Sequence, residues 1–145
     1  MRLEPLYRVM FRYPEHWHVA LEGADGTESE HFFIAEGRCD GRIAGRFRGA
    51  NHPRRRTDRT YLPDFQGAIE TDDGATIMFD YRGYGRSYPA DRRQVVASGT
   101  HVSSDERYAW LNDVVCAITG EVRSRDDGTD IVLEVAELVW EPLEE

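Results

Sequence analysis

The sequence predicts an all-β fold: a single antiparallel up-and-down meander closed as a β-barrel of about eight to ten strands. Three observations predict it. Asp-Gly occurs four times, at Asp25-Gly26, Asp40-Gly41, Asp73-Gly74 and Asp127-Gly128. Between alternating runs this pair is the strongest short-range hairpin signal, because Gly accepts the positive φ of a tight turn and Asp tolerates it. Each pair is flanked by segments of period two, and no segment carries a sustained helical period. Only 88–97 (YPADRRQVVA) has room for a helical turn.

Along the chain, strands are expected at roughly 3–13, 15–22, 29–39, 42–50, 61–72, 75–82, 94–103, 107–124 and 129–141. In the first, Tyr7, Val9, Phe11 and Tyr13 alternate with Arg8 and Arg12 and form the inner set. With each Asp-Gly as a two-residue turn, registers and faces follow. The hairpin at Asp40-Gly41 then places Phe32, Ile34, Glu36, Arg38, Ile43, Gly45, Phe47 and Gly49 inside, and the turn at Asp25-Gly26 extends that face to Trp17, Val19 and Leu21. At Asp73-Gly74 two faces compete for the interior: Gln66, Glu70, Ile77, Phe79 and Tyr81, favoured because it holds Phe79 and Tyr81, and Phe65, Ile69, Thr71, Met78, Asp80 and Arg82. At Asp127-Gly128 the stripe Tyr108, Trp110, Asn112, Val114, Cys116, Ile118 and Val122 shares a face with Leu133, Val135, Glu137 and Val139. The glycines at 37, 41, 45 and 49 suit bends in a small barrel, since no helix follows them to make a phosphate loop.

Composition narrows the chemistry. The 145 residues suit one domain with its own core. No apolar run reaches the roughly 20 residues of a membrane span, and MRLEPLYRVMFRYPE is not built like a signal peptide, so a cytoplasmic protein is expected. All 18 basic residues are Arg, which removes Schiff-base lysines, lysine-anchored pyridoxal phosphate and the P-loop lysine. Cys39 and Cys116 form no CxxC, so neither a disulfide framework nor a thiolate metal site is indicated. A net charge of −9 argues against nucleic acid or an anionic membrane as the main partner. No dinucleotide fingerprint is present, and no cofactor is expected.

Several segments read together: RLEPLYRV at the start, the glycine run, IETDDGATIMFDYRG over Ile69–Gly83, RYAWLN over Arg107–Asn112 and the closing IVLEVAELV. In this order they resemble the bacterial family called domain of unknown function 3237. The likeness covers most of the chain and departs from the family at PEHWHVALEGADGTE and at the arginine cluster RRRTDR, 54–59. It implies a small antiparallel β-barrel and no particular reaction.

Candidate chemistry starts with the expected interior acids Glu36, Glu70 and Glu137. A carboxyl among aromatic rings has its pKa raised and can act as general acid or base near neutrality; the plainer alternative pairs it with an arginine, and Arg38 is the expected partner of Glu36. Tyr108, Trp110 and Asn112 together make an aromatic wall with an amide, suited to a flat organic ligand beside Tyr81, or else core and a backbone tie. His16, His18 and His31 share a face with zinc-like potential, but that face is expected outside, so no metal site is expected. His101 joins the acid–base candidates if its strand turns it inward. Ser98, Ser103 and Ser104 lack the setting of a nucleophile. Arg54, Arg55, Arg56 and Arg59 form either a solvated loop or an anion clamp.

These residues leave three readings open. In the first, the barrel holds a small apolar or aromatic molecule and is a metal-independent acid–base enzyme of isomerase, cyclase or lyase type. In the second it is a non-catalytic carrier. In the third it is an oligomeric structural protein with a filled barrel, in which an apolar outer patch joins two copies as a homodimer.

Overall fold

The computed structural model describes residues 1–87 and 93–145. Its elements are β1 (Arg2–Gly23), β2 (Gly26–Gly41), β3 (Gly45–Asn51), β4 (Arg54–Arg55), β5 (Tyr61–Leu62), β6 (Asp64–Thr71), β7 (Thr76–Arg86), β8 (Gln94–Val102), a 3-10 turn (Ala109–Asp113), β9 (Val115–Arg125) and β10 (Gly128–Val139). Pairing follows chain order, β1–β2–β3–β6–β7–β8–β9–β10, every pair antiparallel. β10 then returns to β1, from Arg2↔Val139 to Phe11↔Ile131, and the ring of eight closes. The meander barrel is therefore the observed fold. The short strands β4 and β5 make a side ribbon from β2 to β7 through Ser29↔Arg55, Arg54↔Leu62 and Tyr61↔Gly85.

All four Asp-Gly glycines take positive φ: 125° at Gly26, 148° at Gly41, 92° at Gly74 and 143° at Gly128. The punctuation is real, but the turns are not centred on the pairs. Gly23↔Gly26 and Arg125↔Gly128 leave Ala24-Asp25 and Asp126-Asp127 as the loops, so each glycine opens the next strand. Gly41 stays within β2 opposite Tyr7, and the chain reverses only between Cys39 and Gly45. The Asp73-Gly74 loop runs between Glu70 and Thr76.

Loops with an even number of residues preserve the predicted pairing of faces, and loops with an odd number invert it for one of the two strands. The loops at Asp40 and Asp73 are odd. The expected inner face of β2 is thus its outer face: Phe32 is 40% exposed, and Trp17 and Leu21 on the neighbouring β1 are 55% and 66% exposed. Ala35 and Cys39 point inward instead, while Ile43 and Phe47 are buried as predicted. On β6 the same inversion buries Phe65 and Ile69 and turns Glu70 out; on β7, Ile77, Phe79 and Tyr81 are buried as expected. The inner sets of β1, β9 and β10 hold: Tyr7, Val9, Phe11, Cys116, Ile118, Leu133 and Val135 are all buried. A β-bulge between Arg12 and Glu15, at Pro14, then shifts the inward parity of β1 and brings His16 opposite Phe33.

Two further expectations fail. Residues 109–113, predicted as strand, form the 3-10 turn, and fully buried Leu111 packs into the barrel end in place of the expected Trp110. Of 88–97, where a helical turn had room, 88–92 lie outside the described residues and 94–97 belong to β8. Close strand approach explains the glycines better than bending does: a Cβ on Gly37 would lie 2.1 Å from the Met10 carbonyl oxygen. No helix among the described residues is long and apolar enough to cross a membrane.

Candidate functional site

The barrel is filled at one end and hollow at the other. Leu6, Ile43, Ile77 and Leu111, all at most 1% exposed, belong to the packed interior. Above them Phe47 stacks on Phe79 at 4.5 Å, and Phe11 and Phe65 lie against Phe47 at 5.3 and 5.7 Å. Beyond this aromatic layer the inward positions turn small, with Ala97 and Gly85, and a cavity of about 340 Å³ remains. Its walls are Phe11, Phe33 and Phe65 on one side and Val95, Ile118 and Leu133 on the other. Among the described residues no Asp or Glu lines it. An apolar pocket with a few convergent polar groups is the usual form of a small-molecule site.

The floor carries a chain of polar groups. Tyr81 lines the cavity, and its hydroxyl is hydrogen bonded to that of Tyr7. The Tyr7 hydroxyl also lies 2.7 Å from Nε2 of His101, and Nδ1 of His101 lies 3.9 Å from Sγ of Cys116. These four residues are buried, on β7, β1, β8 and β9. Burial pushes both tyrosine hydroxyls well above their ordinary pKa, and pushes His101 down to about 4. At neutral pH the cluster is therefore uncharged, and a neutral imidazole has one donor and one acceptor nitrogen. The chain can run as Tyr81→Tyr7→Nε2, leaving Tyr81 to accept from a ligand. It can also run as Nε2–H→Tyr7→Tyr81, leaving the Tyr81 O–H to donate into the cavity. The two senses differ in the imidazole tautomer, with the proton on Nδ1 in the first and on Nε2 in the second, and both leave the cluster neutral.

The mouth is polar and nitrogen-rich. Asn51, at the end of β3, donates from Nδ2 to the Tyr13 hydroxyl at 3.0 Å and accepts from the Asp64 N–H at 3.2 Å. Burial lifts Tyr13 to about 12. His16 Nε2 and His31 Nδ1 are 3.2 Å apart with rings nearly parallel, and His18 stacks on His31 at 4.5 Å. His31 is pushed below its usual pKa, first by burial and then by His18, His16, Arg93 and Arg55. The Arg93 guanidinium sits 5.0 Å over the Tyr61 ring at the cavity edge.

The predicted site residues scatter. Glu36 lies on the outer face, bound by Arg46 Nε at 2.7 Å and Arg48 Nε at 2.9 Å, which holds its carboxyl below the usual range. Glu70 is exposed on the outer wall opposite Arg46. Glu137 is half-buried, with Arg42 at 3.5 Å. Arg38 binds Asp72 rather than Glu36. Tyr108 donates to Asp73 at 2.7 Å, Trp110 Nε1 donates to the Arg107 carbonyl, and Arg42 lies over the Trp110 ring at 4.5 Å. Asn112 is a backbone tie: Oδ1 accepts from Ser103 N–H at 2.8 Å and Nδ2 donates to Ser103 C=O at 3.0 Å. These last three residues line no part of the cavity. Two predicted residues, Tyr81 and His101, come together beneath it. The histidine trio, expected outside, reaches the mouth instead through the inverted face of β2 and the bulge at Pro14; the described residues hold no group of His, Cys, Asp and Glu arranged to bind a metal.

Tyr7 and Tyr13 were legible as inward residues but not as polar ones in use. Asn51 and Arg93 gave no sequence signal, since each acts only through where its strand ends at the mouth.

Comparisons with known proteins agree with this architecture. A β-barrel-like protein from Acinetobacter baumannii AYE superposes with a TM-score of 0.74 at 19% identity, over 94% of each chain. A conserved protein of unknown function from Rhodopseudomonas palustris gives 0.72 at 16% identity, covering 95% of this chain and 97% of that one. An enzyme from Penicillium herquei gives 0.66 at 20% identity, over 92% and 93%. These likenesses are of fold. No curated protein matches the chain. The family model described as protein of unknown function (DUF3237) matches residues 1–138, nearly the whole ring from β1 to β10, and the chain belongs to that family.

Proposed function

We propose that the open half of the barrel binds a flat, largely apolar organic molecule and that the protein performs proton-transfer chemistry on it, of isomerase, cyclase or lyase type. The observation that carries this reading is the buried Tyr81–Tyr7–His101 chain opening onto the floor of the cavity. A hydrogen-bond donor held in an apolar wall and aimed at a ligand oxygen stabilises negative charge developing there far better than water does. Tyr81 is the group at that oxygen, and Tyr7 and His101 position its hydroxyl. The carboxylates Glu36, Glu70 and Glu137 have no part in it.

A carrier is the second reading, favoured by the lack of any carboxylate among the described lining residues. Deuterium exchange at the α-carbons of 2-tetralone, followed by NMR in D₂O, separates the two. Saturable acceleration by the wild type, reduced on the order of 10²-fold by Tyr81→Phe, is the expected result. Binding of the ketone without exchange leaves the carrier; neither binding nor exchange overturns both.

A further inference from the structure

The described lining of the cavity holds no acid, although the chain is acid-rich. Formal net charge is −9, yet among the described residues no carboxylate lines the cavity, and the groups gathered at its mouth are Arg93, His16 and His31, with His18 stacked behind and Arg55 close enough to act on His31. Several arginines elsewhere are matched with acids: Arg46 and Arg48 on Glu36, Arg38 on Asp72, Arg12 on Asp130. Among the described residues no carboxylate lies within ion-pair distance of Arg93, whose guanidinium rests on the Tyr61 ring. That stacking holds the planar fork at the entrance, and a guanidinium fork suits an anionic oxygen pair better than a lysine would.

Resting on the cavity reading above, we infer that the ligand is an aromatic or polycyclic acid, bound with its oxyanion at the mouth on Arg93, His31 and His16 and its ring body directed toward Tyr81. The lining agrees: among the described residues it is mostly apolar, and its nitrogen-bearing side chains are His16, His31, Asn51 and Arg93. Such an arrangement also sets orientation, because a molecule anchored by its anion presents its opposite end to the Tyr81 hydroxyl. His31, with His16 Nε2 at 3.2 Å from one ring nitrogen and Ser29 Oγ at 3.4 Å from the other, is partnered on both sides and can take up a proton when an anion arrives.

Two fluorescent probes of one shape test this: 1-anilinonaphthalene-8-sulfonate, which carries the anion, and N-phenyl-1-naphthylamine, which lacks it. Arg93→Gln is expected to weaken the sulfonate about tenfold or more and the neutral probe less than about twofold. Arg8→Gln, on the outer wall beside Glu134, is expected to change neither, and circular dichroism checks that each variant keeps its fold. Displacement of the sulfonate by 2-naphthoate but not by 2-naphthamide is the matching result with a carboxylate. Equal loss of both probes in Arg93→Gln, or no loss of either, overturns the anion site while leaving the cavity. Failure of both probes to bind the wild type overturns the cavity reading itself.

Discussion

The hydroxyl of Tyr7, on the first strand, lies 2.7 Å from Nε2 of His101, 94 residues further along the chain. Neither residue lines the cavity; Tyr81, bonded to Tyr7, does. Tyr7 is the link that connects a buried imidazole to the ligand space.

Removing that link separates chemistry from binding. Tyr7→Phe leaves His101 Nε2 and the Tyr81 hydroxyl without their shared partner, a loss of about 1–3 kcal/mol in stability for stranded buried polar groups. Neutral-probe binding is expected within about twofold of wild type, because the cavity walls are untouched. Exchange of 2-tetralone is expected to slow about tenfold or more. Urea titration, probe binding and NMR exchange read the three separately, and unchanged exchange would remove Tyr7 from the chain.

Acid sensitivity has a defined window. Above about pH 6.5 His101 is neutral in both folded and unfolded chains. Below it the unfolded chain binds a proton that the folded chain refuses until about pH 4, so stability falls as pH drops between these values, by about 3 kcal/mol in full. His31, also lowered, adds in the same direction. The paired carboxylates act at lower pH: Asp105, drawn down to about 2 by Arg107, gives up its stabilisation only below the ordinary carboxylate range. Urea midpoints from pH 7.5 to 4.5 are expected to slope downward for the wild type and clearly less for His101→Gln. Parallel slopes would place the effect elsewhere.

Gly99 positions the floor. A Cβ there would come within 2.7 Å of Tyr81 Cδ1 and 2.8 Å of Ile118 Cδ1. Gly99→Ala must displace the Tyr81 ring or the strand, an overpacking cost of about 1–3 kcal/mol. Thermal unfolding and neutral-probe affinity are expected to fall together, since both residues line the cavity.

Asn112 is expected to behave as structure alone. Asn112→Ala strands the Ser103 N–H and C=O, with a stability loss of about 1–3 kcal/mol. Both probes are expected to bind it as they bind the wild type. Selective loss of binding would restore the ligand role that its spacing from Tyr108 and Trp110 suggests.

The barrel was legible because its signals are local. Asp-Gly glycines really do sit at positive φ, and alternation along β1, β9 and β10 identifies the inner residues from Tyr7 to Val135. The site was not legible, for a reason that lies in two loops. Whether the chain reverses at 40–41 or at 42–44 changes no composition and no alternation within β2, yet it exchanges Phe32 for Phe33 and turns His31 inward. Glu70 left the interior through the loop after Thr71 in the same way.

By itself, then, the sequence determined the class of fold and much of which residues could be core, since turn chemistry and two-residue periodicity act over a few bonds. Tertiary structure decided which face of β2 and β6 the ring enclosed, that Leu111 rather than Trp110 was buried toward one end, and that Tyr7, Tyr81 and His101 met beneath the cavity. Those outcomes depend on how eight strands satisfy one another's hydrogen bonds around a closed circle, a condition that no single hairpin carries.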